Sequence, residues 1–161
     1  MRNCLVCLVS LLFSLLCFSS AYAWNAYVVR VEGGGIVVVS EKRDRDENPV
    51  VLSFYGVEVP TLQQPFGPEA LEYLRALLPV GSTVNVESAC KDGEGASRAL
   101  IQIDGRSVNY QLLVEGLAWV SRASCKAIFC RRWHIQEHQA IEAKLGLWSL
   151  HMSTPPWQWS R

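Results

Sequence analysis

Residues 50–78, VVLSFYGVEVPTLQQPFGPEALEYLRALL, change their period part-way along, and that change decides the fold. Val50 to Val57 is rich in β-branched and aromatic residues and reads as a strand, which Pro60 closes. Thr61 to Gly67 is a loop. Pro68-Glu69 then suits a first helical turn, and Leu71, Leu74, Leu77 and Leu78 fall on one face of the helix that follows. Pro79 and Gly81 end it.

Upstream, Tyr27 to Val31 and Ile36 to Ser40 are β-branched runs separated by Glu32-Gly33-Gly34-Gly35, which predicts a hairpin with a flexible tip. Lys42 to Asn48 is a charged loop. Downstream, Thr83 to Glu87 alternates as a fourth strand, Lys91 to Gly95 reads as a turn, and Arg98 to Ile103 is a fifth strand leading into an Asp104-Gly105 turn. A second helix spans Val108 to Glu115 and stops at Gly116; Ala118 to Ser121 is briefly extended; a third helix runs from about Arg131 to Lys144 and is stopped by Gly146. Pro155 to Arg161 wraps the surface. Five short strands with a helix inserted after the third predict an α+β fold, mainly β. The architecture is a five-stranded Greek-key barrel of the OB type with about three packed helices.

The first 23 residues carry one charge, Arg2, before the apolar run Leu5 to Phe18, and Ala21-Tyr22-Ala23 supplies a small-residue cleavage signal. Residues 1–23 therefore predict a cleavable signal peptide, and 24–161 one exported domain, periplasmic or secreted. The apolar run falls short of the roughly 20 residues a membrane span needs. Without Arg2 the chain keeps 14 basic residues against 15 acidic. A protein that binds nucleic acid by neutralising phosphates usually carries a basic excess, so the balance argues against tight, non-specific binding. Three cysteines remain beyond the leader. Cys125 and Cys130 enclose four residues and are expected to pair in an oxidising compartment. Cys90 is left either buried or available to link a dimer.

Four fragments stand in order along this frame: Gln64-Pro65-Phe66-Gly67-Pro68-Glu69-Ala70, Asp104-Gly105 with Val108-Asn109, Leu113-Val114-Glu115-Gly116-Leu117-Ala118, and Gly146-Leu147-Trp148. In these the chain resembles the staphylococcal-nuclease-like (thermonuclease) family, over roughly residues 27 to 159. The resemblance implies an OB barrel carrying calcium-dependent phosphodiester hydrolysis of DNA and RNA. Such chemistry needs several oxygen ligands for a hard cation, a group to orient water, and cationic clamps on the phosphate.

Carried over position by position, the resemblance implies an emptied site. The family's calcium-binding aspartate in the first hairpin falls on Gly34, its strand arginine on Ser53, its water-serving glutamate on Thr61 and its second arginine on Ala96. Glu58 alone keeps the charge of its counterpart, a metal-binding aspartate. Loss of one electrostatic donor in such a site commonly slows reaction about 100-fold to 1,000-fold, so the combined losses leave negligible family-type activity. Arg98, two residues beyond Ala96, would point to the same strand face and could replace a clamp, but it stands where the family has a core leucine; a salt-bridged or a barrel-rim arginine is the plainer expectation.

No cofactor is expected, with a weak calcium ion held by Glu58 and Glu32 as the alternative to two separate solvated carboxylates. His134-Ile135-Gln136-Glu137-His138 matches an inverted zinc-protease string but reads as a solvated helix face. Among the six tryptophans, Trp119, Trp133 and Trp148 fit core positions, while Trp24, Trp157 and Trp159 lie near the termini. The functional expectation is a non-catalytic binding or interaction module for a protein or a weak nucleic-acid ligand. A residual calcium-dependent nuclease is the rival reading, and an envelope component linked through Cys90 the third.

Overall fold

The computed structural model describes residues 23–43, 49–91 and 97–159, with residues 88–91 described by backbone alone. The leader up to Tyr22, most of the charged loop, the turn from Asp92 to Ala96 and the side chain of Cys90 lie outside the described residues. Strand β1 (Ala23–Glu32) pairs antiparallel with β2 (Ile36–Ser40), and β2 with β3 (Val50–Phe54). On its other edge β1 pairs with β5 (Thr83–Lys91), and β5 with β6 (Ser97–Ile103), both antiparallel. A parallel ladder between β6 and β3 returns the sheet to its start. The result is the closed five-stranded barrel of the OB fold. Three helices pack on it: α1 (Gly67–Leu77), α2 (Val108–Val114) and α3 (Cys130–Glu142). Among the described residues no helix is long and apolar enough to cross a membrane.

Three strands depart from the sequence expectation. β1 begins at Ala23, ahead of the expected Tyr27, because its first residues pair with β5. Val50 to Val57 is not continuous: β3 ends at Phe54, Gly56 turns the chain with a φ of 73°, and Val57–Glu58 forms a separate strand, β4. After the hairpin strand β7 (Arg106–Ser107) and helix α2, the strand β8 (Trp119–Val120) pairs with β4. The break is forced by competition for partners, since β3 lies against β6 whereas β4 must reach β8. Glycine is required at the corner because a Cβ on Gly56 would stand 2.8 Å from both Cys125 Sγ and the Trp133 ring. The fourth strand also runs on to Lys91, past the Glu87 at which the alternation stops. Backbone pairing with β6, through an irregularity between Ser88 and Cys90, carries it there.

Alternation along the barrel strands places Ala26, Val28, Val37, Val39, Leu52, Phe54, Val84, Val86, Ala99 and Ile101 in the core. Leu74 and Leu78 of the first helical face are fully buried, with Leu71 and Leu77 packed at its margin. Four polar side chains are buried among the described residues, Ser40, Gln64, Asn109 and Ser121, and Asn109 joins the most elements. Asn109, fully buried at the start of α2, accepts a 3.0 Å hydrogen bond at Oδ1 from the Ile101 N–H. Its Nδ2 donates to the carbonyls of Tyr55 and Ala99, each at 3.0 Å. It thus ties α2 to β6 and to the corner where β3 leaves β6. In Asn109→Leu the Ala99 carbonyl keeps its bond from Tyr55 N–H, but Ile101 N–H and Tyr55 C=O lose theirs. A loss of about 2–5 kcal/mol is expected for two stranded buried groups, read as a lowered urea midpoint at unchanged slope.

The Cys125–Cys130 disulfide is formed, with Cα atoms 5.7 Å apart, and both cysteines are buried. It lies against the Gly56 corner and immediately precedes α3, so it fixes where that helix leaves the barrel. The short loop it closes limits its entropic effect on the unfolded chain to about 2 kcal/mol. Replacing both cysteines with alanine should therefore lower thermal stability by about that amount while leaving the far-ultraviolet circular dichroism spectrum unchanged.

Candidate functional site

The end of the barrel near Glu58 is assembled from three neighbouring strands and two turns. In register, Ser53 on β3 stands beside Ile36 on β2 and Arg98 on β6. The hairpin tip between β1 and β2 packs on the segment after β4: a Cβ on Gly33 would fall 2.3 Å from Leu62 Cγ, and one on Gly35 2.7 Å from Val59 Cγ2. Gly34, between them, has a φ of 72° and open space where a side chain would point. Gly34, Ser53, Glu58 and Thr61 thus share one end of the barrel. Ala96 lies outside the described residues, although the adjoining Ser97 pairs with Leu52.

Thr61 opens a tightly braced loop. Its N–H donates to Gln64 Oε1 at 2.8 Å, and Gln64 N–H donates back to the Thr61 carbonyl at 3.0 Å. Gln64 is buried and its Nε2 donates to the carbonyl of Thr154, binding the C-terminal segment to this loop. The Thr61 carbonyl also passes so close to Gly67 that a Cβ there would sit 1.9 Å away, which explains the glycine at the start of α1.

The electrostatics of the site turn on Glu58. Arg98 Nη1 donates to Glu58 Oε1 at 3.0 Å, with both side chains about a quarter exposed. Arg98 is therefore a salt-bridged residue, one of the two outcomes expected for an arginine where the family has a core leucine. Glu32 is engaged elsewhere: Arg30 Nε contacts its Oε1 at 2.6 Å, on a surface where both are about half exposed. A hollow of about 470 Å³ opens beside the Glu58–Arg98 pair, bounded by Ser121, Arg122, Ala123 and Trp157. Glu32 is not among its lining residues.

These residues do not fit calcium. The ion wants six to eight oxygen ligands, several of them charged. Gly34 offers no side chain, Thr61 points its N–H into its own loop, and the Glu58 carboxylate already holds a guanidinium. A divalent ion and a guanidinium roughly 5 Å apart repel by about 7 kcal/mol at an effective dielectric of about 20, so the cation would first have to displace Arg98. Among the described residues, no three His, Cys, Asp or Glu side chains come together as a metal cluster.

A sequence profile described as staphylococcal nuclease homologue matches residues 36–150. The chain belongs to that family. It is similar, at 29% identity over 136 residues, to an uncharacterized endonuclease of Escherichia coli O157:H7, with 82% of each chain covered. Protein ParB of Escherichia coli is 25% identical over 143 residues, covering 83% of this chain and 77% of that protein. An uncharacterized 38.1 kDa protein of Capnoides sempervirens is 33% identical over 106 residues. There the match takes in 66% of this chain but spans only 30% of the longer protein.

Three contributors escaped the sequence reading. Arg122 carries no pattern of its own and reaches the hollow only because β4–β8 pairing brings Ser121–Ala123 alongside Glu58. Trp157 was visible as a tail aromatic, but not its position on the wall of the hollow. Glu137, the acid of the His-x-x-Glu-His string, is not a solvated residue: its Oε1 accepts a 2.7 Å hydrogen bond from Val120 N–H and anchors β8 to α3. His134 and His138 face Glu137 and Glu142 along the helix, at 3.6 and 3.5 Å. Because the Glu58–Arg98 pair is only partly shielded from water, a double-mutant cycle with Glu58→Gln and Arg98→Met should return a coupling of about 1 kcal/mol. That value, from chemical denaturation, separates a structural rim bridge from a buried ionic keystone, which would give about 3 kcal/mol or more.

Proposed function

We propose that this chain is an exported, non-catalytic member of the staphylococcal nuclease family, in which the barrel is kept as a binding or interaction module. The observation that carries the reading is the 3.0 Å contact of Arg98 with Glu58, a guanidinium bonded to the one acidic residue retained where the family binds its metal. Its support is electrostatic: the site's remaining negative charge is neutralised from within, so nothing there draws a divalent ion. Gly34 has no side chain, and Ser53 and Thr61 offer neutral hydroxyls where the family has charged groups, so none supplies the charge that holds a divalent ion, clamps a phosphate or takes a proton from water. Export is supported by the leader-like amino terminus and by a formed disulfide, which fits an oxidising compartment.

The rival reading is a residual calcium-dependent nuclease, favoured by relatives named as endonucleases and by the acid kept at Glu58. Incubating the chain without its leader with single-stranded DNA and with RNA, in calcium or in chelator, distinguishes the two. The expected result is no cleavage that depends on calcium. Cleavage stopped by chelator and abolished by Glu58→Ala would overturn the non-catalytic reading.

A further inference from the structure

The hollow beside Glu58 has the makings of a binding site that needs no metal. Its wall carries two guanidinium groups and one carboxylate, with Arg98 committed to Glu58. Arg122 is not committed: its side chain makes no hydrogen bond or ion pair among the described residues, and it lies at the surface of the hollow. The site therefore has one unbalanced positive charge. A guanidinium in that position offers a planar fork of N–H donors suited to a carboxylate or phosphate.

Trp157 supplies the second half of the recognition. It belongs to the short turn Pro156–Gln158, is 54% exposed, and lines the hollow on the side of the C-terminal segment. That segment is not loose. Thr154 is bonded by the buried Gln64, which places the tryptophan from the same loop that carries Thr61. Arg122 and Trp157 also bound a second hollow of about 460 Å³, floored by Trp119, Val120, Ile141 and Trp148; the Glu137 carboxylate on its wall is bonded to Val120 N–H, so the balance there is even and the anion is assigned to the hollow beside Glu58. Arg122 and Trp157 therefore form the partition between two open spaces, with both faces of the pair within reach of a ligand.

We infer that this hollow binds a planar organic anion without a metal ion, its charged group on Arg122 and its ring against Trp157. Each space falls within the range of small-ligand sites, and one polar anchor facing one aromatic surface is the usual division of labour in them. The inference rests on the non-catalytic reading above and names the ligand class of that site. Two sources share the chemistry, a mononucleotide and an aromatic carboxylic acid, and the experiment separates them.

The chain without its leader is titrated calorimetrically, in chelator throughout, with adenosine monophosphate and with 2-naphthoate. Adenosine lacks the charge and inorganic phosphate lacks the ring, so both serve as controls. At least one planar anion should bind, and each control should bind about tenfold more weakly or not at all. Arg122→Gln and Trp157→Ala, both at exposed positions, should each weaken binding about tenfold while the melting temperature stays unchanged. Whichever anion binds more tightly identifies the source. No binding of either anion overturns the inference, as does binding that both variants retain in full or that inorganic phosphate matches. Because no metal is present, none of these outcomes bears on calcium-dependent cleavage, which is decided by the nuclease assay alone.

Discussion

The barrel closes through three residue pairs, Leu52 with Ser97, Ser53 with Arg98 and Phe54 with Ala99, in its one parallel ladder. A parallel ladder this short is slightly weaker per residue than an antiparallel one and cannot be reinforced by a hairpin. Asn109 supplies what is missing. Its side chain continues the hydrogen bonding past Phe54 by joining the Tyr55 carbonyl to both Ala99 and Ile101, in a place fully removed from water. A buried amide with all of these bonds made also sets register, since a shift of one residue would leave its donors and acceptor unmatched.

Everything at the candidate site follows from that closure. Arg98 stands beside Ser53 because β6 is parallel to β3 in this register, and it reaches Glu58 because the chain turns at Gly56 immediately afterward. The same turn sends β4 to β8, which brings Ser121 to Ala123 to the hollow. The disulfide and Trp133 support the turn from behind. The residues that hold the fold and those that line the hollow overlap at Arg98, since its backbone helps to close the barrel while its side chain lines the hollow. Side chains at the site can change without removing what closes the barrel.

Much of this was legible from local pattern. β-branched runs gave β1 and β2, alternation gave the start of β5, period 3.6 gave the buried face of α1, and Gly116 marked the end of α2 because it adopts a left-handed backbone; α3 stops short of the expected Lys144 and Gly146, at Glu142, with Lys144 itself left-handed. The break at Tyr55-Gly56 was not legible, since Val57 and Glu58 continue a strand-like composition and only competition between β6 and β8 separates them. The extension of β5 was hidden for the opposite reason, because its ladder bonds come from the backbone and its side chains do not alternate. At the site, Glu58 and Arg98 could each be singled out from position, but their contact is a tertiary event forty residues apart. Arg122 and Trp157 are brought together by strand pairing and by the Gln64 tether, neither of which leaves a periodic trace.

The replacement of charge at this barrel end has a simple physical logic. A cluster of carboxylates gathered for a metal repels itself when the metal is absent, so it must take up protons or cost the fold stability until an ion is supplied. In the proposed reading one carboxylate, Glu58, remains of such a cluster, and a guanidinium from the neighbouring strand is bonded to it. The same pairing that disfavours a cation compensates the Glu58 charge. Under the inference drawn above, Arg122 gives the hollow beside Glu58 one positive charge in excess, which would favour an anion over a cation. Such an excess would alter what the hollow can hold without altering the backbone around it.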